Sequence, residues 1–136
     1  MRNILISLLL TVCLPAQADW IVNPNNVSVT RVNVGDYLMA ALDNHKAVVS
    51  ILTVSTRDSC TDGSVVHTVN GVNVKMLRTF RQNKYCFYTP LTETGREYVT
   101  NEFMTKLSVN WGNYTIDAVG FTDSVNKLRQ LSKGAI

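Results

Sequence analysis

The sequence predicts an α+β domain: a mostly antiparallel sheet of five or six strands, two or three helices packed on one face of that sheet, and one disulfide. Three observations predict this class. Two turn-forming dipeptides, Asn70-Gly71 and Gly112-Asn113, each lie between segments in which apolar and polar residues alternate. A segment with helical spacing of apolar residues follows each of these hairpins. An even pair of cysteines remains once the amino-terminal leader is set aside.

Residues 1–18 carry the three parts of a secretory signal peptide. Arg2 gives a positive amino-terminal region, an apolar stretch runs from Ile4 to Leu14, and small side chains at Ala16 and Ala18 precede a cleavage point. The apolar stretch is shorter than the about 20 residues that a transmembrane helix needs. We therefore expect residues 1–18 to be cleaved, and the mature protein to be periplasmic or secreted.

A bacterial lipoprotein box is the alternative interpretation of this leader, with Cys13 as the acylated residue. Val12, which precedes that cysteine, is bulkier than the small residue such a box usually has. Ordinary cleavage after Ala18 therefore fits the leader better.

The remainder, residues 19–136, reads as a single domain without repeats or linkers. The whole chain has a formal charge of +3 at pH 7, one unit of which comes from Arg2 in the leader. A charge this mild does not indicate a nucleic-acid partner. No stretch after the leader is long and apolar enough to predict a transmembrane segment.

Cys60 and Cys86 are predicted to form a disulfide, because an exported chain meets an oxidising compartment. In the chain-entropy model the bond would contribute roughly 3–4 kcal/mol to stability. Two free thiols and a redox pair are the alternatives, although a redox centre usually has Cys-x-x-Cys spacing.

The first part of the domain predicts an irregular lead-in from Trp20 to Asn26 and a short strand that begins at Val27. Residues Asp36 to Asp43 predict a helix, because apolar side chains recur there at a spacing of four. His45 would then lie beyond the helix end in solvent. Residues Ala47 to Ser55 have apolar side chains at both odd-numbered and even-numbered positions, that is, on both faces of a strand. This pattern predicts a central strand.

The Asn70-Gly71 turn fixes the register of the first hairpin. It predicts that Val69 faces Val72 and that His67 faces Val74, and the same register pairs residues 65 and 76. All of these side chains share one face, and Lys75 points to the other.

A second reversal is predicted from Arg81 to Lys84. If its loop is of even length, Phe80 meets Tyr85 on the core face. A second apolar cluster behind the sheet then contains Leu77, Cys86 and Tyr88, together with the bridge to Cys60.

A capping box, Thr94 to Glu97, predicts the start of a helix. The expected apolar stripe of this helix is Tyr98, Val99, Phe103 and Leu107, with Arg96, Thr100 and Asn101 turned outward. A second hairpin then closes at 112–113, pairing residues 111 with 114 and 109 with 116. A carboxy-terminal helix capped by Thr122 or Asp123 completes the domain.

Few residues point to catalysis or metal binding. His67 lies on the apolar face of its hairpin, where a buried histidine could serve as a general base or pH sensor. A histidine at the sheet edge, bonded to a backbone carbonyl, is the simpler interpretation. His45 and His67 lack the spacing of a zinc site. No Gly-x-Ser-x-Gly elbow is present. We expect no metal and no cofactor.

Two sets of residues are candidates for partner binding. The basic residues Lys75, Arg78, Arg81 and Lys84 crowd one strand and its turn. They could meet anionic lipid headgroups, lipopolysaccharide phosphates or an acidic protein, or they could protect a sheet edge from aggregation. Trp20 is the other candidate, because it either docks onto the domain or contacts a partner.

These observations favour a small exported protein without catalytic activity that binds a macromolecular partner. An inhibitor or immunity protein, or an accessory subunit of an envelope or secretion assembly, would fit this description. One alternative is a small extracellular hydrolase with His67 as general base. Another is a homo-oligomeric structural or toxin-associated subunit that uses an exposed sheet edge.

Overall fold

The computed structural model describes residues 20–23, 25, 28–33, 36–43 and 46–133. The predicted signal peptide, the alternative acylation site at Cys13 and the predicted solvent position of His45 lie outside these residues.

The described residues form an α+β fold with one antiparallel sheet and two helices. The strands are β1 (Ile21–Asn23), β2 (Ser28–Asn33), β3 (Asp36–Asp43), β4 (Lys46–Val54), β5 (Gly63–Val69), β6 (Val72–Arg81), β7 (Tyr85–Pro90), β8 (Ser108–Trp111) and β9 (Tyr114–Asp117). The helices are α1 (Glu93–Thr105) and α2 (Phe121–Lys133). Side by side, the strands follow the order β1-β2-β3-β4-β7-β6-β5-β8-β9. The sheet is therefore larger than the five or six strands predicted.

The predicted helix at 36–43 is wrong, because this segment is strand β3. It pairs with β2 on one side and β4 on the other. Leu38 and Ala40 are both buried, as alternate residues on one face of a strand are. A spacing of four, which suggested the helix, is also a multiple of the two-residue strand period. The short segment 21–23, predicted as part of an irregular lead-in, is likewise a strand. The strand predicted at 47–55 is confirmed as β4, in the interior of the sheet.

Both predicted tight hairpins are confirmed with their registers. In β5–β6, Val69 faces Val72 and His67 faces Val74. Asn70 and Gly71 have φ values of 47° and 80°, the two positive angles that a type I′ turn requires. In β8–β9, Trp111 faces Tyr114 across a turn that starts at Gly112 with φ 59°.

The register predicted for the third reversal is wrong. Phe80 faces Cys86 rather than Tyr85, because the loop between β6 and β7 has three residues. Gln82 and Asn83 both have positive φ, and Lys84 adds the odd residue after this turn. Cys86 therefore lies on the same face as His67 and Phe80, so the predicted rear cluster does not form.

The predicted bridge between Cys60 and Cys86 is present. Both cysteines are buried, with 1% and 0% of their surfaces exposed. The disulfide thus pins the loop that follows β4 to the start of strand β7, on the face that carries the core.

The N-cap of helix α1 lies two residues before Thr94, the N-cap of the predicted capping box. Thr92 is the N-cap, and its hydroxyl accepts a hydrogen bond from the Gly95 N–H. Thr100, predicted to face outward, is buried and donates to the Ala47 carbonyl at 2.8 Å. Leu107, predicted in the apolar stripe, lies beyond the helix end and is 79% exposed.

One face of the sheet, which we call the inner face, carries the core. Helix α1 contacts β4, β7 and β8, and helix α2 contacts β1, β2 and β3. Trp20, just before β1, donates its indole N–H to the carbonyl of Asp117, the last residue of β9. Because β1 and β9 are the two ends of the strand order, the sheet curls around the helices, and its inner face is concave.

Candidate functional site

The opposite, outer face of the sheet is convex and carries an unusual number of apolar residues in its middle strands. Along β4, β7, β6 and β5, the side chains point alternately to the outer face and to the core. The apolar members, which we call the outer patch, are Leu52, Val54, Val66, Leu77, Tyr85 and Phe87.

Cross-strand pairing joins the β4 and β7 members of the outer patch. Leu52 faces Phe87, and Val54 faces Tyr85. Leu77 faces Ser64 and Thr89, and Val66 faces Lys75, so these two members are only diagonal neighbours of the rest. Val54, Val66 and Leu77 remain 54%, 58% and 41% exposed, respectively. An antiparallel sheet with one face on the core usually presents polar side chains on the other. The outer patch departs from that pattern.

Three of the four predicted basic residues border this patch. Lys75 and Arg81 point outward from β6, on either side of Leu77. Lys84 lies over the Tyr85 ring, with its ammonium 5.4 Å from the ring centre. No outward position of the described strands β4 to β7 carries Asp or Glu. Asp62, just before β5, accepts the Phe80 N–H at 2.8 Å, so the border carries one carboxylate beside its three cations and is positive overall.

Arg78 lies apart from the other three, because its parity on β6 turns it to the inner face. Its Nε donates to the Thr61 carbonyl at 2.7 Å, and a terminal nitrogen reaches the Thr61 hydroxyl at 3.3 Å. Arg78 thus holds the loop that leads into β5. Trp20, the other candidate for partner contact, is only 5% exposed and packs edge-on against Phe103 and Phe121.

A cleft of about 190 Å³ opens on the part of the inner face that the helices leave uncovered. Its lining consists of Ile51, Thr53, His67, Tyr88, Trp111, Gly112 and Tyr114. The hairpin registers predict that Trp111 and Tyr114 lie on the core-facing side with His67. They place Tyr88 in the rear cluster, which is wrong, because Tyr88 faces Arg78 on the inner face. They do not reveal that β5 and β8 meet, because that pairing joins segments far apart in the chain.

His67 is held between two aromatic rings at one wall of this cleft. Its Nδ1 accepts a hydrogen bond from the Trp111 indole N–H at 2.9 Å, and its ring centre lies 4.5 Å from that of Tyr88. Burial, together with the nearby positive charge of Arg78, lowers the pKa of the His67 imidazole below its ordinary value of 6.5. The imidazole is therefore neutral at pH 7.

This arrangement defines what His67 offers to a ligand. A neutral imidazole has one lone pair, and here the Trp111 indole occupies it. The ring proton therefore lies on Nε2, where it can be donated. Acting as a general base would require His67 to give up the Trp111 bond, and the described residues of the cleft lining include no carboxylate to orient it. The described residues contain no group of three or more side chains suited to metal binding.

A larger cleft of about 490 Å³ lies between helix α1 and the strands β3 and β4. Its charged rim is internally paired: Lys46 contacts Glu93 at 3.2 Å and Glu97 at 3.5 Å, and Arg96 approaches Asp43 at 4.0 Å. Lys46 thus contacts two carboxylates and Arg96 a third. Arg129 also lines the cleft, so the described lining carries three charges of each sign.

No helix among the described residues is long and apolar enough to cross a membrane. Comparison of the chain with protein-family models, curated proteins and solved structures gave no match.

Proposed function

We propose that this is an exported binding protein that docks the outer face of its sheet against an acidic surface of a partner protein. The outer patch, with its positive border, is the observation that carries this proposal. The disulfide is compatible with an oxidising destination, and the leader sequence supports export.

The apolar part of the face supports docking rather than simple solvation. Single exposed apolar residues are ordinary on protein surfaces, but contiguous patches mark interaction sites. Tyr85 and Phe87 face the aliphatic Val54 and Leu52 on β4, and they face Arg81 and Thr79 on β6. Aromatic residues in such positions are common hot spots of protein interfaces.

The charge of the border favours an acidic partner over a second copy of the chain. In a twofold dimer through this face, Lys75 and Arg81 would lie close to the same cations of the other subunit. Like charges brought together across an interface oppose association. The homo-oligomeric alternative is therefore less well supported at this face.

The number of cations favours a protein over an anionic membrane. Lys75, Arg81 and Lys84 would contribute about 1 kcal/mol each near a negatively charged bilayer. Recognition of anionic lipids usually takes clusters of four to eight such residues. A convex sheet also brings only a narrow strip of its surface against a flat bilayer, whereas a partner protein can follow its curvature.

Affinity capture with charge-matched variants tests the proposal. Mature protein, the Lys75→Glu/Arg81→Glu variant and the Lys127→Glu/Lys133→Glu variant are each used to capture proteins from envelope extract of the exporting cells. Both double variants change the net charge equally, but the second pair lies on exposed positions of helix α2. We expect one protein with an acidic surface to be retained by wild type and by the α2 variant. The outer-face variant should lose it.

Equal retention by both double variants would show that the outer face is not the docking surface. If the captured protein is a second copy of the same chain, the result would favour the oligomeric alternative. Hydrolysis of a supplied substrate that His67→Gln abolishes would favour the hydrolase alternative.

A further inference from the structure

We propose that the open edge of strand β5 accepts an extended peptide segment of a partner, and that one uncharged side chain of this peptide enters the His67 cleft. The Val66 side chain belongs to the outer patch, but this site uses the main chain of β5 and the inner-face cleft, and it does not depend on the function proposed above.

The edge arises because β8 accompanies β5 only at its carboxy-terminal end. Val69 faces Trp111, the Gly112 N–H donates to the Thr68 carbonyl at 2.8 Å, and the Asn70 N–H donates to the Asn110 carbonyl at 2.8 Å. The chain then reverses at 112–113 into β9, so none of the described strands continues the line of β8 beside the rest of β5.

The backbone groups left on this edge have the spacing of a strand. In an antiparallel strand, the N–H and C=O of one residue point to the same side, and alternate residues share that side. The main-chain carbonyl of Thr68 faces β8, so the main-chain N–H and C=O groups of Val66 and Ser64 point to that side as well. No described residue hydrogen-bonds to the main chain of Ser64 or Val66 on that side. Both side chains are exposed, which leaves the edge open to solvent.

Such an edge is matched by an extended main chain. Two alternate residues offer two N–H donors and two C=O acceptors, which a peptide strand satisfies with its own alternate residues. Exposed edges of this kind are otherwise guarded by charge or proline, and Gly63 to Val66 contains neither.

The cleft adds selectivity for one side chain of the peptide. Val65 and His67 point to the inner face, so peptide residues opposite them point towards the cleft. Among the described residues, no Lys, Arg, Asp or Glu lines this cleft, and the Arg78 guanidinium is near enough to depress the His67 pKa. The Arg78 charge would repel a cationic anchor. A carboxylate anchor would be desolvated without direct contact to that charge, because Arg78 is not part of the lining and its guanidinium binds Thr61. The site therefore fits an apolar or aromatic anchor, with the His67 Nε2–H as donor to any oxygen it carries.

The probe is the capped seven-residue peptide Lys-Thr-Lys-Leu-Lys-Thr-Lys, in which the central Leu shares its face with Thr. Nuclear magnetic resonance of the mature protein follows the Ser64 and Val66 amides and the Trp111 indole N–H. We expect saturable shifts of all three signals at millimolar peptide. Replacing the central Leu by Lys should raise the Kd at least tenfold.

Peptide N-methylation distinguishes strand addition from contact through the anchor alone. Methyl groups on the backbone nitrogens that face β5 should raise the Kd at least tenfold, and methyl groups at the alternate positions less than twofold. In the protein, Val66→Pro removes one edge donor and should abolish the shifts, whereas Val66→Thr keeps it and should bind within twofold of wild type. The unshifted Trp111 signal of the free variants reports that the fold is intact.

Three results would overturn the inference. One is the lack of saturable shifts with the Leu peptide. Another is equal sensitivity to methylation at both sets of positions. The third is a concentration-dependent dimer that Val66→Pro dissociates, because a second copy of the chain would then fill the edge. The Lys75→Glu/Arg81→Glu variant should bind the peptide normally, so failure of one proposal leaves the other open to its own test.

Discussion

Trp111 donates its indole N–H to Nδ1 of His67 over 2.9 Å, and this bond joins strand β8 to strand β5 across 44 positions of sequence. It fixes the neutral tautomer of the imidazole, because a protonated ring would carry hydrogen on both nitrogens. The bond therefore links the shape of the inner-face cleft to the protonation state of one residue.

A pH dependence of stability follows from this relationship. The His67 pKa is lower in the folded protein than its ordinary value of 6.5, so below that pH the unfolded chain binds more protons than the folded one. The contribution of His67 to the free energy of unfolding is present above pH 6.5 and is lost as the pH falls towards the folded-state pKa. Urea unfolding between about pH 7.5 and 5.5 measures it. His67→Gln should flatten the slope in this window. An unchanged slope in His67→Gln would contradict the role assigned to the Trp111 bond.

The disulfide is expected to supply a large share of the stability. The bond between Cys60 and Cys86 closes a loop across 26 positions, which is worth about 3–4 kcal/mol in the chain-entropy model. Cys60→Ser/Cys86→Ser should lower the free energy of unfolding by about that amount in urea titrations. A loss below about 1 kcal/mol would mean that the reduced chain keeps the loop ordered without the bond.

Trp20 is expected to act as a structural anchor. Trp20→Ala removes a buried indole that packs on Phe103 and Phe121, and should cost about 3–5 kcal/mol. Trp20→Phe keeps an aromatic ring but loses the bond to the Asp117 carbonyl, and should cost about 1 kcal/mol from that bond. Thermal and urea unfolding measure both. If Trp20→Ala unfolds like wild type, Trp20 does not stabilise the curl of the sheet.

The start of helix α1 distinguishes the structure from the sequence prediction. Thr92→Ala should cost about 1 kcal/mol, because the Thr92 hydroxyl caps the Gly95 N–H. Thr94→Ala should stay within about 0.5 kcal/mol of wild type, because position 94 lies inside the first turn. The reverse ranking in urea unfolding would place the cap where the sequence alone predicted it.

Local turn chemistry explains which parts of the fold could be predicted. Asn70-Gly71 permits positive φ at both positions, and this single constraint fixes the register of β5 and β6. The turn at Gln82 and Asn83 also has two positive φ angles, but neither residue is a glycine, so its length was misjudged by one residue. An error of one residue moves every side chain of a strand to the other face, which is how Cys86 was misplaced.

The candidate sites were harder to predict than the hairpins. Strand parity places Lys75 and Arg81 together and separates Arg78 from them, and this much follows from sequence. The outer patch needs the pairing of β4 with β7, which joins residues more than thirty positions apart. The open edge of β5 depends on where β8 stops accompanying it, and no local pattern encodes that point.

Photo-cross-linking at the outer patch tests the central claim most directly. A photoreactive residue replaces Leu77 in one mature protein and Leu107, which is exposed outside the patch, in another. After irradiation in envelope extract, we predict one discrete cross-linked protein at position 77, none at position 107, and loss of the product when Lys75→Glu/Arg81→Glu is added. A product that forms equally at both positions, or that persists in the charge-reversed protein, would contradict docking through the outer face.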